Sequence, residues 1–407
     1  MKGSLFVRIR ELLSTAKRIL RRRPKGRPSE ARKPVIGSYV SRILSDAILF
    51  NETQCSTDRE NRRLDFIVLR FSEIGYANPQ VDECGNVSIV IPASRTTDDH
   101  ALLFADIGSG TDSPSDYLVT LEAGRARGRG LAENSVGVAA LLVLAEYIAA
   151  AGLSYDRNLV LLFSSFDPGR QEAQPLERFL QEWKGRFLFA AYVRSLTLGR
   201  IQERPMGTCK LSVTARTEQR DLMGVRGAAS AISVLAAVAS RLGSIRWDSE
   251  NNTFLNIARL EAGAGFGWYA AEGVLELEIF STEASALEVA RKAVTATIGN
   301  IAAEAGASTE VTVKTFYPAG NAEMNAGLND ALRRVYARLR IKPQPTSVPD
   351  HSAFINSLGI PSVSLGITTG SRSLTEESVD TRPIEAGFRQ LLGFLDETAG
   401  RGGGGVA

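Results

Sequence analysis

Between residues 206 and 315 the chain changes its rhythm. The hydrophobic pattern there reads strand (Thr208–Thr217), helix (Arg226–Leu242), strand (Thr253–Leu260), strand (Gly273–Ser281), helix (Glu283–Ala305) and strand (Ser308–Phe316). A β-α-β-β-α-β order describes a small ferredoxin-like domain. On either side the pattern is different. After helices at 37–50 and 59–75 and a hairpin in "ANPQVDECGNVSIVIP", apolar runs such as "HALLFADIG", "RNLVLLFSSFD" and "FLFAAYVRSL" alternate with helical stretches such as "SVGVAALLVLAEYIAAAG". Alternation resumes after Pro318, with "PSVSLGI" as a strand and Pro383–Leu395 as a closing helix. Strands alternating with helices predict a three-layer α/β domain with a largely parallel sheet. The expected organisation is therefore an α/β domain in two pieces, 37–205 and 316–399, interrupted by an α+β domain at 206–315. Residues 1–36 form an arm and linker, and 400–407 a glycine-rich flexible tail.

The arm stands apart in charge. Residues 1–33 carry twelve Lys/Arg and two acids, a net of +10 against +3 for the whole chain, which leaves the remainder at −7. Leu5, Ile9, Leu12, Leu13, Ala16, Ile19 and Leu20 recur at helical spacing, and Arg8, Lys17, Arg18 and Arg21–Arg23 form the polar side. Pro24, Pro28 and Pro34 then break the helix. The stretch is too short and too charged to cross a bilayer. Residues 4–23 read either as a contact for an anionic membrane surface or a protein partner, or as a solvated basic extension. Missing aromatic stacking partners argue against nucleic acid.

Three widely spaced cysteines, Cys55, Cys84 and Cys209, match no disulfide framework, so a reducing cytoplasm is the expected compartment, with peripheral membrane contact through the arm as a variant. Only two histidines occur, His100 and His351, which bears on any metal site because imidazole is the commonest ligand for catalytic zinc. "GRARGRG" at 124–130 has glycines but lacks the Lys-Ser/Thr ending of a P-loop, and a mobile surface loop is expected there.

The inserted layout and four local segments resemble a known family. "DECGNVSIVI", "GLAENSVGVAALL", "FAAYVRSLTLGRI" and "DHSAFINSLGIPSVSLG" follow one another as do the matching segments of the di-zinc hydrolases that include aminoacylase, glutamate carboxypeptidase and tripeptidase T. The resemblance covers roughly residues 37–397. It implies a zinc-exopeptidase-like α/β domain with an inserted lid and dimerisation domain, and peptide or amide hydrolysis by two zinc ions. Those ions need a bridging carboxylate, two histidines and two further carboxylates, with a glutamate beside them as general base.

Residue by residue, the resemblance places Phe104 at the first histidine, with Asp106 kept two positions on. Glu133 falls at the bridging aspartate, Asp167 at the general base, Pro168 at the following glutamate ligand, Arg194 at the next aspartate and Ser373 at the final histidine. Phenylalanine and proline have no side-chain lone pair to donate, and arginine is permanently cationic. Tight zinc binding is therefore not expected. Arg194 is expected to pair with Glu133, Asp106 or Asp167 as a salt-bridged plug. The family's lid histidine falls near Gln219, its substrate-binding arginine near Phe280 and an asparagine near Phe266. His351 reads as a relic ligand or base, or as an ordinary helix-start residue.

Two functions follow. One is a catalytically inactive relative with a binding or scaffold role, needing no cofactor. The other is an atypical peptidase or amidohydrolase with zinc held in a site rebuilt from Asp106, Glu133, Asp167 and His351. Either way the resemblance implies a homodimer through 206–315, where "GAASAISVLAAVASRL" offers a smooth helix face.

Overall fold

The computed structural model describes residues 35–53, 59–76, 78–108, 117–165, 174–218, 229–247, 250–263, 265–373 and 376–402. The basic arm, Asp167, Pro168 and Gln219 lie outside the described residues. In chain order the first elements are α1 (Ile36–Glu52), α2 (Arg59–Ile74), β1 (Gln80–Val81), β2 (Val87–Ile91), β3 (Asp99–Asp106), β4 (Thr120–Glu122) and β5 (Arg125–Arg127). A π-turn (Leu131–Ser135) leads into α3 (Val136–Ala151), followed by β6 (Asn158–Ser164), α4 (Gln174–Glu182), β7 (Arg186–Arg194) and β8 (Arg200–Ile201). Then come β9 (Gly207–Arg216), α5 (Ala231–Gly243), β10 (Phe254–Ala262), β11 (Glu272–Ser281), α6 (Ala284–Glu304) and β12 (Ser308–Tyr317). The chain closes with α7 (Ala322–Leu339), β13 (Gln344–Pro345), α8 (Ser352–Ser357), β14 (Ser362–Gly366), β15 (Gly370–Arg372), β16 (Glu377–Asp380) and α9 (Ile384–Thr398).

These elements cluster into two compact units. One holds residues up to Gln202, Asn325–Thr346 and those from Ile360 onward; the other holds Glu203–Met324 and Ser347–Gly359.

The first unit is built on a six-stranded sheet in the order β1-β2-β6-β3-β7-β14. β6, β3, β7 and β14 run parallel, and the β1-β2 hairpin adds to β6 antiparallel. "ALLFA" in β3 is buried at every position, as a strand covered on both faces must be. α3 is apolar all round for the same reason: α1 and α2 pack on one side, and β3 and β7 on the other. With the preceding π-turn it makes a continuous helical stretch, Leu131–Ala151, long and apolar enough to cross a membrane, yet 72% of its most apolar window is buried inside the fold. Each fully buried leucine contributes roughly 1.5–3 kcal/mol, so this helix is the centre of the core. A buried ion pair, Arg70 Nη2 to Asp46 Oδ2 at 2.8 Å, ties α2 to α1.

The start of α3 touches the end of β7. Where the π-turn passes into α3, the Val136 and Gly137 N–H groups both donate to Ser195 Oγ, at 3.1 and 3.4 Å. A Cβ on Gly137 would sit 2.6 Å from the Val193 carbonyl oxygen, so only glycine permits this approach. A second, four-stranded sheet in the order β15-β16-β5-β4 sits beside the π-turn. It corrects one expectation: Arg125–Arg127, taken from sequence as loop, is a strand paired antiparallel to β16 and β4. Three residues give too little pattern for a period of two, and the partner strand lies 250 residues downstream.

The second unit is an antiparallel sheet in the order β10-β11-β9-β12, with α5 and α6 on one face. Leu211, Val213, Leu235, Val238, Leu275, Leu277, Ile279, Val294 and Ile298 fill the layer between them. The β-α-β-β-α-β order is as expected, but α5 begins at Ala231 rather than Arg226. A capping box decides it: Ser230 Oγ accepts from the Ser233 N–H at 3.2 Å and Ser233 Oγ from the Ser230 N–H at 3.1 Å. This unit also takes in α8, which packs on β9 and β12 with the Phe354 ring 5.0 Å from Tyr317.

Two glycines separate contact from propensity. Gly137→Ala must push against backbone and should lower stability by about 1–3 kcal/mol. Gly299, on the exposed side of α6 with nothing near its missing Cβ, should give about 0.5–1 kcal/mol of stabilisation when replaced by Ala. Chemical denaturation of both variants checks the pair; equal shifts would show that the α3–β7 approach is looser than described.

Candidate functional site

The strand period of two places Phe104 with Asp106 on one face of β3, and Tyr192 with Arg194 on the same face of β7. The register pairs Phe104 with Tyr192. Their rings stack, with centroids 4.9 Å apart and planes 15° from parallel. Tyr192 Oη donates to Asp106 Oδ2 at 2.6 Å, a charge-assisted bond of the strong kind. The Arg194 guanidinium lies over the Tyr192 ring, its Cζ 5.5 Å from the centroid. Four neighbouring side chains thus form one patch at the strand ends, organised around the Tyr192 ring.

Glu133 belongs to the π-turn ahead of α3, a device often found at functional positions. Gly130, in the left-handed region at φ 82°, starts it. Asn134 Nδ2 donates to the Gly108 carbonyl, two residues beyond Asp106, and Ser195 caps the helix from beyond Arg194. The turn is therefore held between the ends of β3 and β7.

The partner of Glu133 is not Arg194. Arg372 Nη2, from β15, donates to Glu133 Oε1 at 2.6 Å. Arg372 also faces Glu377 on β16, with Nε 3.7 Å from Oε1. Glu377 is buried, and its Oε2 accepts from the Ala132 N–H at 3.1 Å. Burial lifts the Glu377 carboxyl above the usual carboxylate range, and the charge on Glu133 adds to this; Arg372 and the Ala132 and Gly130 N–H groups oppose it. Among the described residues the salt-bridged plug expected at Arg194 is thus corrected: the cation between carboxylates is Arg372, and Arg194 lies against an aromatic face, with Asp167 outside the described residues.

Of the other positions singled out from sequence, Ser373 closes a tight turn, its Oγ bonded to the Glu376 carbonyl and N–H, both at 3.0 Å. His351 is carried by the second unit at the N-cap of α8, where the neighbouring Asp350 accepts from the Ser352 N–H at 2.9 Å. Asp167 and Pro168 lie outside the described residues. Phe280 is buried in β11 and packs against Phe254 at 4.9 Å, and Phe266 is fully exposed. Among the described residues, no group of three or more His, Cys, Asp or Glu is placed to hold a metal ion.

Sequence reasoning missed Tyr192, Arg372 and Glu377. The first was within reach, since Tyr192 stands two positions before Arg194 and so shares its face. The other two were not, because nothing local marks β15 and β16 as neighbours of the π-turn.

The Glu133–Arg372–Glu377 cluster sets a pH dependence. A carboxylate whose folded pKa is raised above its unfolded value, 4.5 for Glu377, destabilises the fold at pH above the folded pKa, and the penalty fades as pH falls towards 4.5. Glu377→Gln keeps an acceptor for Ala132 and should abolish that segment of the stability profile. Arg372→Ala should steepen it and cost about 1 kcal/mol at neutral pH, modest because the arginine is half exposed. Arg194→Ala should leave the profile unchanged. Thermal melts from pH 4.5 upward measure all three; a flat wild-type profile that none of the variants alters would refute the cluster's role.

No protein-family model matches the chain, and no curated protein matches it. Solved structures do. A tripeptidase from Staphylococcus aureus superposes with a TM-score of 0.68 at 18% identity, over 87% of this chain and 97% of its own. An amidase of the hydantoinase/carbamoylase family from Burkholderia vietnamiensis gives 0.69 at 13% identity, over 88% and 97%. A dinuclear metal-binding peptidase of the M20 family from Bacillus subtilis gives 0.61 at 14% identity, over 88% and 98%. An α/β unit interrupted by a four-stranded α+β unit, matched nearly end to end by these structures, means that the chain has the fold of the M20 metallopeptidases and the carbamoylase-type amidases.

Proposed function

We propose that this chain is a catalytically inactive member of that structural class, with a binding or scaffold role. The observation that carries the reading is the engagement of Glu133 by Arg372. The donor set around it does not fit two zinc ions. Phe104 offers a stacked carbon ring, Arg194 a fixed positive charge, and Ser373 a hydroxyl turned to its own loop. A divalent cation would have to displace a guanidinium already bonded to the one carboxylate kept at the bridging position. We derive no hydrolytic step on this basis.

The alternative reading, an atypical zinc peptidase or amidohydrolase, has Asp106, Glu133, Asp167 and His351 as its residues. The fold shared with active peptidases and amidases speaks for it, as does the retained Asp106.

Metal content by mass spectrometry separates the two. The purified protein should carry well under one zinc per chain and hydrolyse neither peptides nor N-acyl amino acids. Phe104→His, Pro168→Glu, Arg194→Asp and Ser373→His together should recover zinc only when Arg372→Ala is added, because the guanidinium otherwise keeps Glu133. Stoichiometric zinc with amidase activity in the unmodified protein would establish the alternative.

A homodimer through residues 206–315 belongs to this reading. β10 and β12 end the sheet, and Phe254 and Leu260 on β10 are each 43% exposed, so strand edge and apolar contact coincide. The compartment we assign is cytoplasmic, where Cys84 and Cys209 stay reduced. Light scattering at micromolar protein should give twice the chain mass of 43.9 kDa; a monomer mass would remove the dimer from the reading.

A further inference from the structure

The β10–β11 hairpin carries, in its connecting segment, the two most exposed Phe and Trp side chains among the described residues. Phe266 is 107% exposed relative to an extended chain, and Trp268 53%. Gly263, Gly265 and Gly267 have φ of 106°, 112° and 90°, a backbone path that L side chains rarely follow. Phe266 stands between two of these glycines and is covered by none of the described residues. At its foot Leu260 and Ile232 are also exposed, and Ile232 Cδ1 lies 3.2 Å from where a Gly263 Cβ would be.

An exposed apolar group of this kind has to be covered by something. A stable protein interface needs on the order of 800 Å² from each side. Two aromatic side chains, each able to bury about 150–250 Å², fall short of that unless a large complementary surface surrounds them. A bilayer needs no complementary surface, and Trp beside Phe is the pairing that settles at the boundary between headgroups and acyl chains. The chain also holds a second signal of the same kind. Residues 1–33 carry a net charge of +10 and an apolar stripe at helical spacing, which suits acidic headgroups. Single weak anchors give marginal attachment, and two together give stable attachment.

We propose that the hairpin turn inserts Phe266 and Trp268 into the surface of an anionic bilayer, with the basic arm as the second attachment point. This does not depend on whether the cleft residues are catalytic.

The test is co-sedimentation of the full chain with phosphatidylcholine vesicles, with and without phosphatidylserine. The full chain should pellet with the acidic vesicles. Phe266→Ser with Trp268→Ser should weaken that binding roughly tenfold with an unchanged thermal melt, because neither side chain supports the core. Deleting residues 1–33 should weaken it as well, and combining the two changes should abolish it. Trp268 emission should be quenched by brominated acyl chains, and the quenching should vanish in Trp268→Ser. Failure of the full chain to pellet overturns the proposal, as does pelleting by the double variant equal to that of the full chain. A double variant that becomes monomeric without lipid would show instead that a second copy of this chain covers the turn, and would overturn it too.

Discussion

A helix that begins inside a protein core has N–H groups with no acceptor of its own, and leaving them bare costs more than most single contacts return. At the start of α3, Ser195 Oγ takes the Val136 and Gly137 N–H groups, and Gly137 gives up a Cβ so that the helix can reach the end of β7. The π-turn is pinned on its other side, by Asn134 to the Gly108 carbonyl and by the Ala132 N–H to Glu377. The most buried helix of the first unit, the ends of β3 and β7, and the second sheet all meet at this junction. Among the described candidate residues of the first unit, Asp106, Glu133 and Arg194 stand next to it in the chain.

That junction holds the frame independently of the side chains that project from it. Its bonds run largely through backbone groups, with Ser195, Asn134 and Glu377 as the side chains that receive or give them. Side chains projecting from the frame are freer to vary, provided each finds a partner. Phe104 and Tyr192 stack, Tyr192 bonds Asp106, Arg194 covers the ring, and Arg372 sits between Glu133 and Glu377. The result is satisfied polar groups where a polar cavity would otherwise repel itself. An arginine bonded to a carboxylate balances the same charge as a bound cation, but it has no open coordination position at which to lower the pKa of a water.

The second unit shows the same division between scaffold and projecting groups. Its core is a conventional sheet-on-helix layer. Phe280 and Phe254 form an apolar pair on β11 and β10, and Phe266 stands fully exposed beyond β10. Rings therefore stand at projecting positions in both units, Phe104 and Tyr192 in the first and Phe254, Phe280 and Phe266 in the second.

Element type was legible in the sequence wherever a local period was long enough to be unambiguous. The buried run of β3, the all-apolar α3 and the β-α-β-β-α-β order of 207–317 needed no tertiary information, because each follows from alternation and helical spacing along the chain. That Phe104 offers no side-chain lone pair and Arg194 only a fixed positive charge was legible too, since these are properties of the residue. What the sequence could not decide was pairing. Arg125–Arg127 is a strand paired on one side with β4 and on the other with the distant β16, and α5 starts at Ala231 because two serines cap each other there. Glu133 finds Arg372 across 239 positions, while Arg194, close to the same cluster of elements, turns to a ring instead. An ion pair depends on which charged groups the packed elements bring within a few ångströms, and that distance is set by the tertiary fold, not by the order of residues along the chain.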